Sequence, residues 1–399
     1  MMTQQRSGAR QATIGIAGFL ALVVAMGIGR FAFTPMLPLM QHDGVIDISS
    51  GAWLAAANYA GYFAGALCAA HVRLSPQNLI RGSLLPVAVF TAAMGLFAHL
   101  LPWLALRFLA GVLSAWALVG TSAWCLAELA KSCRPILAGI VYAGVGAGIA
   151  IAGGLCLAFG ASAPAATVWH YLGWIAGALT LVVWLLMWHA GAGTAAAVPA
   201  ASGYGPATNQ RGLIVCYGCF GFGYILPATF IPALGRMLVD DPALFGWAWP
   251  IFGVTAALST VLTGAFLSTT SRLVVLSRSY FVMAFGTALP AFVPSLSAIL
   301  VSAVCVGGTF MVITMTGFQA ARDHGGANPT RILGLMTSAF ALGQIAGPLF
   351  SALLAHSALL DDKTSLRASL LFAGAVLIVC GIWLQRAPQS TPTTQGAQA

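Results

Sequence analysis

Gly27 to Pro38 reads GIGRFAFTPMLP, and Gly221 to Pro232 reads GFGYILPATFIP. Aligned without a gap, the two stretches share both glycines and the final proline. A second pair follows at nearly the same offset: Ile136-Leu137 matches Ile332-Leu333, and Ile149-Ala150 matches Ile345-Ala346. Chance gives either match alone. Two at near-equal offsets indicate a duplicated unit, and each stretch lies inside a long apolar run. Parallel repeats of apolar helices, with a ligand site where the repeats meet, are a transporter design.

Working outward from these stretches, the chain is apolar almost throughout. Of 399 residues, 59% are hydrophobic and 6% are charged, against about 25% charged in an ordinary soluble domain. Such a chain cannot cover itself with a water-facing surface. Its runs of about 20 residues suit helices that cross a bilayer, where every backbone polar group must find its partner within the protein. The first run, from about 13 to 39, exceeds the short apolar core of a cleaved signal peptide and reads as a retained helix. Further spans are predicted at 51–70, 79–99, 102–129, 136–160 and 168–188, then at 212–234, 245–268, 272–293, 295–318, 331–354 and 367–385. Between the two groups, 189–211 is rich in Ala, Gly, Ser and Pro and reads as a cytoplasmic linker. The expected fold is an all-α membrane protein of twelve transmembrane helices in two six-helix pseudo-repeats, a bundle over 1–188 and another over 212–399.

Charge placement tests that topology. With both termini in the cytoplasm, twelve of the seventeen Lys and Arg lie on the cytoplasmic side and three (Arg236, Lys363, Arg367) outside. This is the positive-inside bias. Asp43, Asp47, Asp240, Asp241, Asp361 and Asp362 fall outside, and only Glu128 and Asp323 at the cytoplasmic face. The net charge of +9 is thus a membrane signature, and nucleic acid is not an expected partner. The eight cysteines lie mostly in or beside spans and read as small core residues rather than a disulfide framework. Cys216-Tyr-Gly-Cys219 has the form of a metal or redox pair, but no second pair or histidine accompanies it. No metal and no cofactor are expected. Trp53, Trp103, Trp169, Trp247 and Trp383 lie near span ends and read as interface anchors.

Two arginines remain inside spans, Arg30 and Arg107, at depths of roughly 14 and 8 Å at 1.5 Å per residue. A charge in hydrocarbon costs at least about 2.5 kcal/mol and normally faces a cavity or a partner. Neither arginine has an intramembrane acid to pair with, so one reading is a site for an anionic ligand, which guanidinium binds through paired donors. The other is a brace that bonds to backbone carbonyls or snorkels outward. Gly27, Gly29, Pro35 and Pro38 in the first span, and Gly221, Gly223, Pro227 and Pro232 in the seventh, are expected to bend both helices. Thr34, Tyr217, Tyr224, Thr229, Thr309, Thr314, Thr316 and Gln319 are polar candidates for lining a cavity, with Thr34, Tyr217, Tyr224 and Gln319 joining Arg30 and Arg107 in the expected binding set. Gly144 and Gly148 in the fifth span, and Gly343, Gly347 and Pro348 in the eleventh, permit close helix contact and so bear on conformational change. All seven histidines lie in loops or near span ends, so no central proton relay is visible. Asp43, Asp47 and Glu128 stay open as coupling residues. No phosphate-binding loop and no zinc-type HExxH motif is present, which argues against an ATP-driven pump and an enzyme.

Taken together, these features resemble the major facilitator superfamily over nearly the whole chain. Arg107-Phe-Leu-Ala-Gly111 is similar to its RxxxG element, and the fifth-span glycines to its glycine-rich antiporter element, without that element's proline. Gly343 to Pro348 has the GxxxGP form. The loop after the second span keeps Arg73 and Arg81 but lacks the acid usual there. Gly27 to Met40 resembles more closely the YbfB/YjiJ-like branch. The resemblance implies a central cavity lined by spans 1, 4, 7 and 10 and transport by alternating access. The expectation is a multi-pass inner-membrane carrier, monomeric by default, moving a small organic solute with a preference for an anion. A drug or metabolite exporter of the same fold, or a non-transporting membrane sensor, is the alternative.

Overall fold

The computed structural model describes residues 2–72, 74–130, 134–159, 162–191, 208–238, 246–324, 329–356 and 362–387. All of the regular structure there is helical. The first helix, α1, has three parts: an α-helix over Met2–Leu22, a π-helical turn over Val23–Ile28 and an α-helix over Phe33–His42. Then follow α2 (Ile48–His71), α3 (Pro76–Ala93), α4 (Leu100–Leu129), α5 (Ile136–Phe159) and α6 (Ala165–Ala190). After the linker come α7 (Thr208–Leu238), α8 (Ala248–Phe266), α9 (Arg272–Phe292), α10 (Leu296–His324), α11 (Pro329–His356) and α12 (Asp362–Arg386). Most of the expected linker, 192–207, lies outside the described residues.

By length and composition, ten helical stretches among the described residues can cross a membrane. The two that fall short are α2 and α3. α2 draws its apolarity from small Ala and Gly residues and interleaves Ser49, Ser50, Asn58, Tyr59 and Tyr62, while α3 opens with Gln77, Asn78 and Arg81. The outward surface is apolar: Trp174, Leu181, Leu185 and Trp188 on α6, Phe266 on α8, Leu353 on α11 and Val379 on α12 are all exposed. A contiguous apolar exterior of this kind is stable against lipid, not water. The chain is a multi-pass helical membrane protein.

Contacts among the helices repeat with a period of six. In the first group α1 packs on α4, α5 and α6, α2 on α4, and α3 on α4 and α6. Six helices later, α7 packs on α10, α11 and α12, α8 on α10, and α9 on α10 and α12. Contacts between the groups exchange in the same way: α5 lies along α8 as α11 lies along α2, and α4 touches α11 as α10 touches α5.

Glycine decides how closely α5 can approach its neighbours, and it does so on two faces. Gly139, Gly146 and Gly153 recur every seventh residue, two helical turns, and face α8. A Cβ added at each would run into Thr260, into Gly253 and Ala257, and into Pro250 respectively. Gly144 and Gly148 face α1, against the backbone of Phe19 and of Val23 and Gly27. On α11, Gly343 meets the backbone of Gly218 and Phe222, and Gly347 meets Ile225. The expected small-residue contacts thus join α5 to α1 within its own group and α11 to α7 within the other. The seven-residue set on α5 carries the contact between groups.

The acids named as coupling residues hold helix ends. Asp47 Oδ1 accepts the Ser50 N–H at 2.7 Å as the cap of α2, and this bond holds its carboxyl below the usual range. Asp43 Oδ2 accepts the Ala165 N–H at 2.6 Å at the start of α6. Glu128 is buried and accepts from Arg10 Nη1 at 2.6 Å, while Arg10 Nε bonds the Ala190 carbonyl at 3.0 Å, tying α1, α4 and α6 together at one end. Among the expected tryptophan anchors, Trp53, Trp247 and Trp383 are exposed, but Trp103 and Trp169 are buried. Trp103 turns inward because its Nε1–H reaches the Met94 carbonyl at 2.9 Å and fastens the α3–α4 turn. The four cysteines Cys125, Cys156, Cys216 and Cys380 are buried as free thiols. Cys133 lies outside the described residues.

Replacing Gly146 by Leu places a side chain against the α8 backbone. The expected result is loss at or above the upper end of the about 1–3 kcal/mol typical of overpacking, measured as a lower melting temperature of the detergent-purified protein. Gly154→Ala on the same helix, where a Cβ meets nothing within 4 Å, should leave it unchanged.

Candidate functional site

The site begins where α1 is interrupted. Gly29 N–H bonds the Val24 carbonyl at 2.8 Å and Phe31 N–H the Met26 carbonyl at 3.0 Å, both five residues back. One turn later the spacing tightens, with Thr34 N–H on the Phe31 carbonyl at 3.2 Å, three residues back. Pro35 explains the shift. It has no N–H to give Phe31, so Thr34 supplies one, and the Arg30 carbonyl that Thr34 would otherwise serve is released. Gly27 allows the widened turn to press on α5, since a Cβ there would overlap the Gly148 backbone.

α4 supplies the missing donors. Arg107 Nη2 bonds the Arg30 carbonyl at 3.2 Å and Nη1 the Gly29 carbonyl at 3.3 Å. Two turns further along the same face, the Ser114 hydroxyl lies between two carbonyl acceptors, that of Ala25 on α1 at 2.8 Å and that of Ala110 on its own helix at 2.6 Å. The Phe33 ring covers the Arg107 guanidinium at 4.6 Å. Behind it, Asn58 Nδ2 bonds the Arg107 carbonyl at 2.9 Å, fixing α2 against α4. Arg107 is 4% exposed, and it is occupied by α1 rather than turned toward open space.

The same glycine and proline signals leave α7 unbroken: it is helical from Thr208 through Pro227 and Pro232. The hydroxyls of Thr309, Thr314 and Thr316 on α10 bond back to carbonyls of their own helix.

Arg30 points the other way from its carbonyl, into the contact between the two helix groups, and is 2% exposed. Its Nη2 donates to Oε1 of Gln344 on α11. The Tyr62 ring lies across the guanidinium face at 3.4 Å, with Phe31 at 5.5 Å and Tyr59 at 5.8 Å. Nε and Nη1 of Arg30 and Nε2 of Gln344 have no hydrogen-bond partner. Among the described residues no carboxylate pairs with Arg30. Three unfilled donors converge where the two groups meet, covered by aromatic rings.

An aromatic wall continues from this point. Phe31 meets Phe310 of α10 edge-on at 5.6 Å. Tyr224 of α7 stacks on Phe310 at 4.3 Å, and Phe220, Phe252 and Phe340 close around it. Of the residues expected to bind, Arg30 and Tyr224 come together here. Thr34 is half-buried on the α1 turn beyond the break. Tyr217 lies deeper in the second group, its hydroxyl donating to Thr314 at 3.2 Å and its ring among Phe220, Phe318 and Phe340. Gln319 stands apart, its carbonyl bonded by Arg272 at the start of α9. The Thr229 side chain lies outside the described residues. Gln344, Tyr62, Tyr59 and Phe310 were not anticipated. For Gln344 a signal existed, since it is the one polar side chain within Gly343 to Pro348.

A separate hollow of about 650 Å³, bordered by Arg81, Trp184, Met187 and Trp188, opens on the flank of α3 and α6 and shares no residue with this cluster. No group of metal-ligating side chains occurs among the described residues.

Known proteins place these observations. The fold is similar to that of the human organic anion transporter MFSD10 (TETRAN), with a TM-score of 0.68 over 94% of this chain and 99% of that one. At 13% identity, this likeness concerns the fold alone. No curated protein matches the sequence. Residues 22–385 match the family described as "Uncharacterised MFS-type transporter YbfB", which is nearly the whole helical chain. The protein is a member of that family of major facilitator transporters.

Proposed function

We propose that this protein is a secondary active carrier of a small organic solute, with a preference for an anion, working by alternating access. The observation that carries the reading is Arg30: a buried guanidinium between the two helix groups, with two unpartnered N–H-bearing nitrogens and no acid beside it among the described residues. An unpaired buried charge is costly, and it is retained where a ligand neutralises it during function. The likeness in fold to an organic anion transporter agrees with the direction of this preference. The exporter of neutral or cationic compounds has no comparable feature in its favour, since the glycines that prompted it are engaged in helix contacts.

The architecture fits such a carrier. Two six-helix bundles, 1–188 and 212–399, joined by the 189–211 linker, account for the six-helix periodicity of the contacts. α2 and α3 complete twelve spans, both termini lie in the cytoplasm, and the protein acts in the inner membrane as a monomer. Rocking of one bundle against the other would part α5 from α8 and α2 from α11 at one end while closing them at the other. Arg30 and Gln344, one from each bundle, would sense that motion. Substrate and bilayer are the partners; no cofactor takes part.

Fluorescent-protein fusions at either terminus should fluoresce in the cytoplasm, and a periplasmic reporter at either should be inactive. Screening purified protein by thermal shift against organic acids, sugars, amino acids and cationic drugs should single out acids. Because ligand stabilises by mass action, about 2.7 kcal/mol at a hundredfold excess over Kd, the shift should rise with dose and vanish in Arg30→Gln. A shift from cationic or neutral compounds alone, unchanged in Arg30→Gln, would reject the anion preference. Arg107→Gln is expected to behave differently, lowering the melting temperature with no ligand present because it strips the α1 carbonyls of their donors.

A further inference from the structure

We propose that the ligand of this site is a monocarboxylate carrying an aromatic ring, and that Gln344 is one of its binding groups; this rests on the anion-carrier reading above. The charge count comes first. A guanidinium offers two edges at which a pair of parallel N–H groups can grip a carboxylate. Gln344 Oε1 takes one hydrogen of Nη2, and each Nη2 hydrogen serves a different edge. Whichever one is taken, the other edge keeps its full pair, with Nε and Nη1 both unpartnered. Tyr62 covers the face of the guanidinium at 3.4 Å, a cation–π contact that leaves the in-plane edges free.

That edge accommodates one carboxylate. The other buried arginine, Arg107, holds the Gly29 and Arg30 carbonyls with its terminal nitrogens under the Phe33 ring, and only its Nε is unpartnered. A second carboxylate would have to compete with the α1 carbonyls for Arg107, or enter among aromatic rings at a large desolvation cost. Gln344 Nε2 adds one neutral donor beside the fork. The donor set thus fits a single carboxylate whose oxygens take the arginine pair and one amide N–H.

The body of the ligand is read from the wall next to it. Phe31 lies both 5.5 Å from the Arg30 guanidinium and edge-on to Phe310. Phe310 stacks on Tyr224, and Phe252, stacked in turn on Trp249, completes the row. These rings come from α1, α7, α8 and α10, two helix groups meeting through edge and face contacts. An aromatic ring entering between them can exchange such contacts for equivalent ones. An aliphatic chain gains burial alone, and a sugar or polyol would leave its hydroxyls unpaired against apolar rings.

The test is isothermal titration of the full chain in nanodiscs with benzoate and phenylacetate, against acetate, butyrate, succinate and benzamide. Benzoate and phenylacetate should bind at least about tenfold more tightly than butyrate or acetate, with succinate and benzamide weaker still. Phe310→Leu and Tyr224→Leu should erase the aromatic advantage and leave butyrate affinity nearly unchanged. Gln344→Glu, which sets an internal carboxylate on the fork, should abolish binding of every acid, and Gln344→Leu should weaken it. Gln344→Glu also serves where Arg30→Gln fails to fold. Equal binding of aliphatic and aromatic acids, both lost in Gln344→Glu, overturns the aromatic assignment and leaves the anion carrier standing. Benzamide binding as tightly as benzoate, or no acid binding at all, overturns both.

Discussion

Inside a bilayer a freed backbone carbonyl must find its donor within the protein, and this protein meets that demand at one place with a charged side chain. Pro35 and the widened turn over Val23–Ile28 take carbonyls of α1 out of the helical ladder. On one face of α4, Arg107 returns donors to those of Gly29 and Arg30, and the Ser114 hydroxyl is shared between that of Ala25 and its own helix. The exchange fixes α4 on α1, and with Asn58 bonded to the Arg107 carbonyl it fixes α2 as well. The orientation of Arg30, and with it the whole candidate site, depends on this repair.

The second constraint is how near the helices come. Without a hydrophobic drive between helices in lipid, association relies on packing and on small residues that let backbones approach. Gly139, Gly146 and Gly153 set the α5–α8 contact between the two helix groups, and Gly144 and Gly148 set the contact of α5 with α1. One helix thereby couples the broken segment beside Arg30 to the opposite group. α5 and the Arg30–Gln344 bond are thus two physical links between the site and the opposite group.

Electrostatics divides the charged residues by what surrounds them. Arg10 and Glu128 form a pair at one end of the first group, and Asp43 and Asp47 cap helices. Arg107 gives both terminal nitrogens to backbone carbonyls and leaves only Nε unpartnered. Only Arg30, among the buried arginines described, keeps two nitrogens unpartnered with an unpartnered amide next to them. The proposed division into a brace and a binding group rests on that asymmetry between two similar arginines.

The membrane class was legible without coordinates, because it follows from how much apolar surface a chain must hide and from where lysine and arginine fall along it. So was the placement of Arg30 and Arg107 within spans, since a charge inside an apolar run is visible as such. What each arginine does was not legible. The two differ in which neighbours reach them, and Gln344 lies 314 positions from Arg30 along the chain. Nor could the glycines of α5 be sorted into two faces before the helices beside it were known. Proline and glycine mark α1 and α7 alike, yet α1 opens where Arg107 of α4 reaches its carbonyls, while α7 stays helical. Local sequence sets which groups lack partners; tertiary structure alone decides which partners arrive.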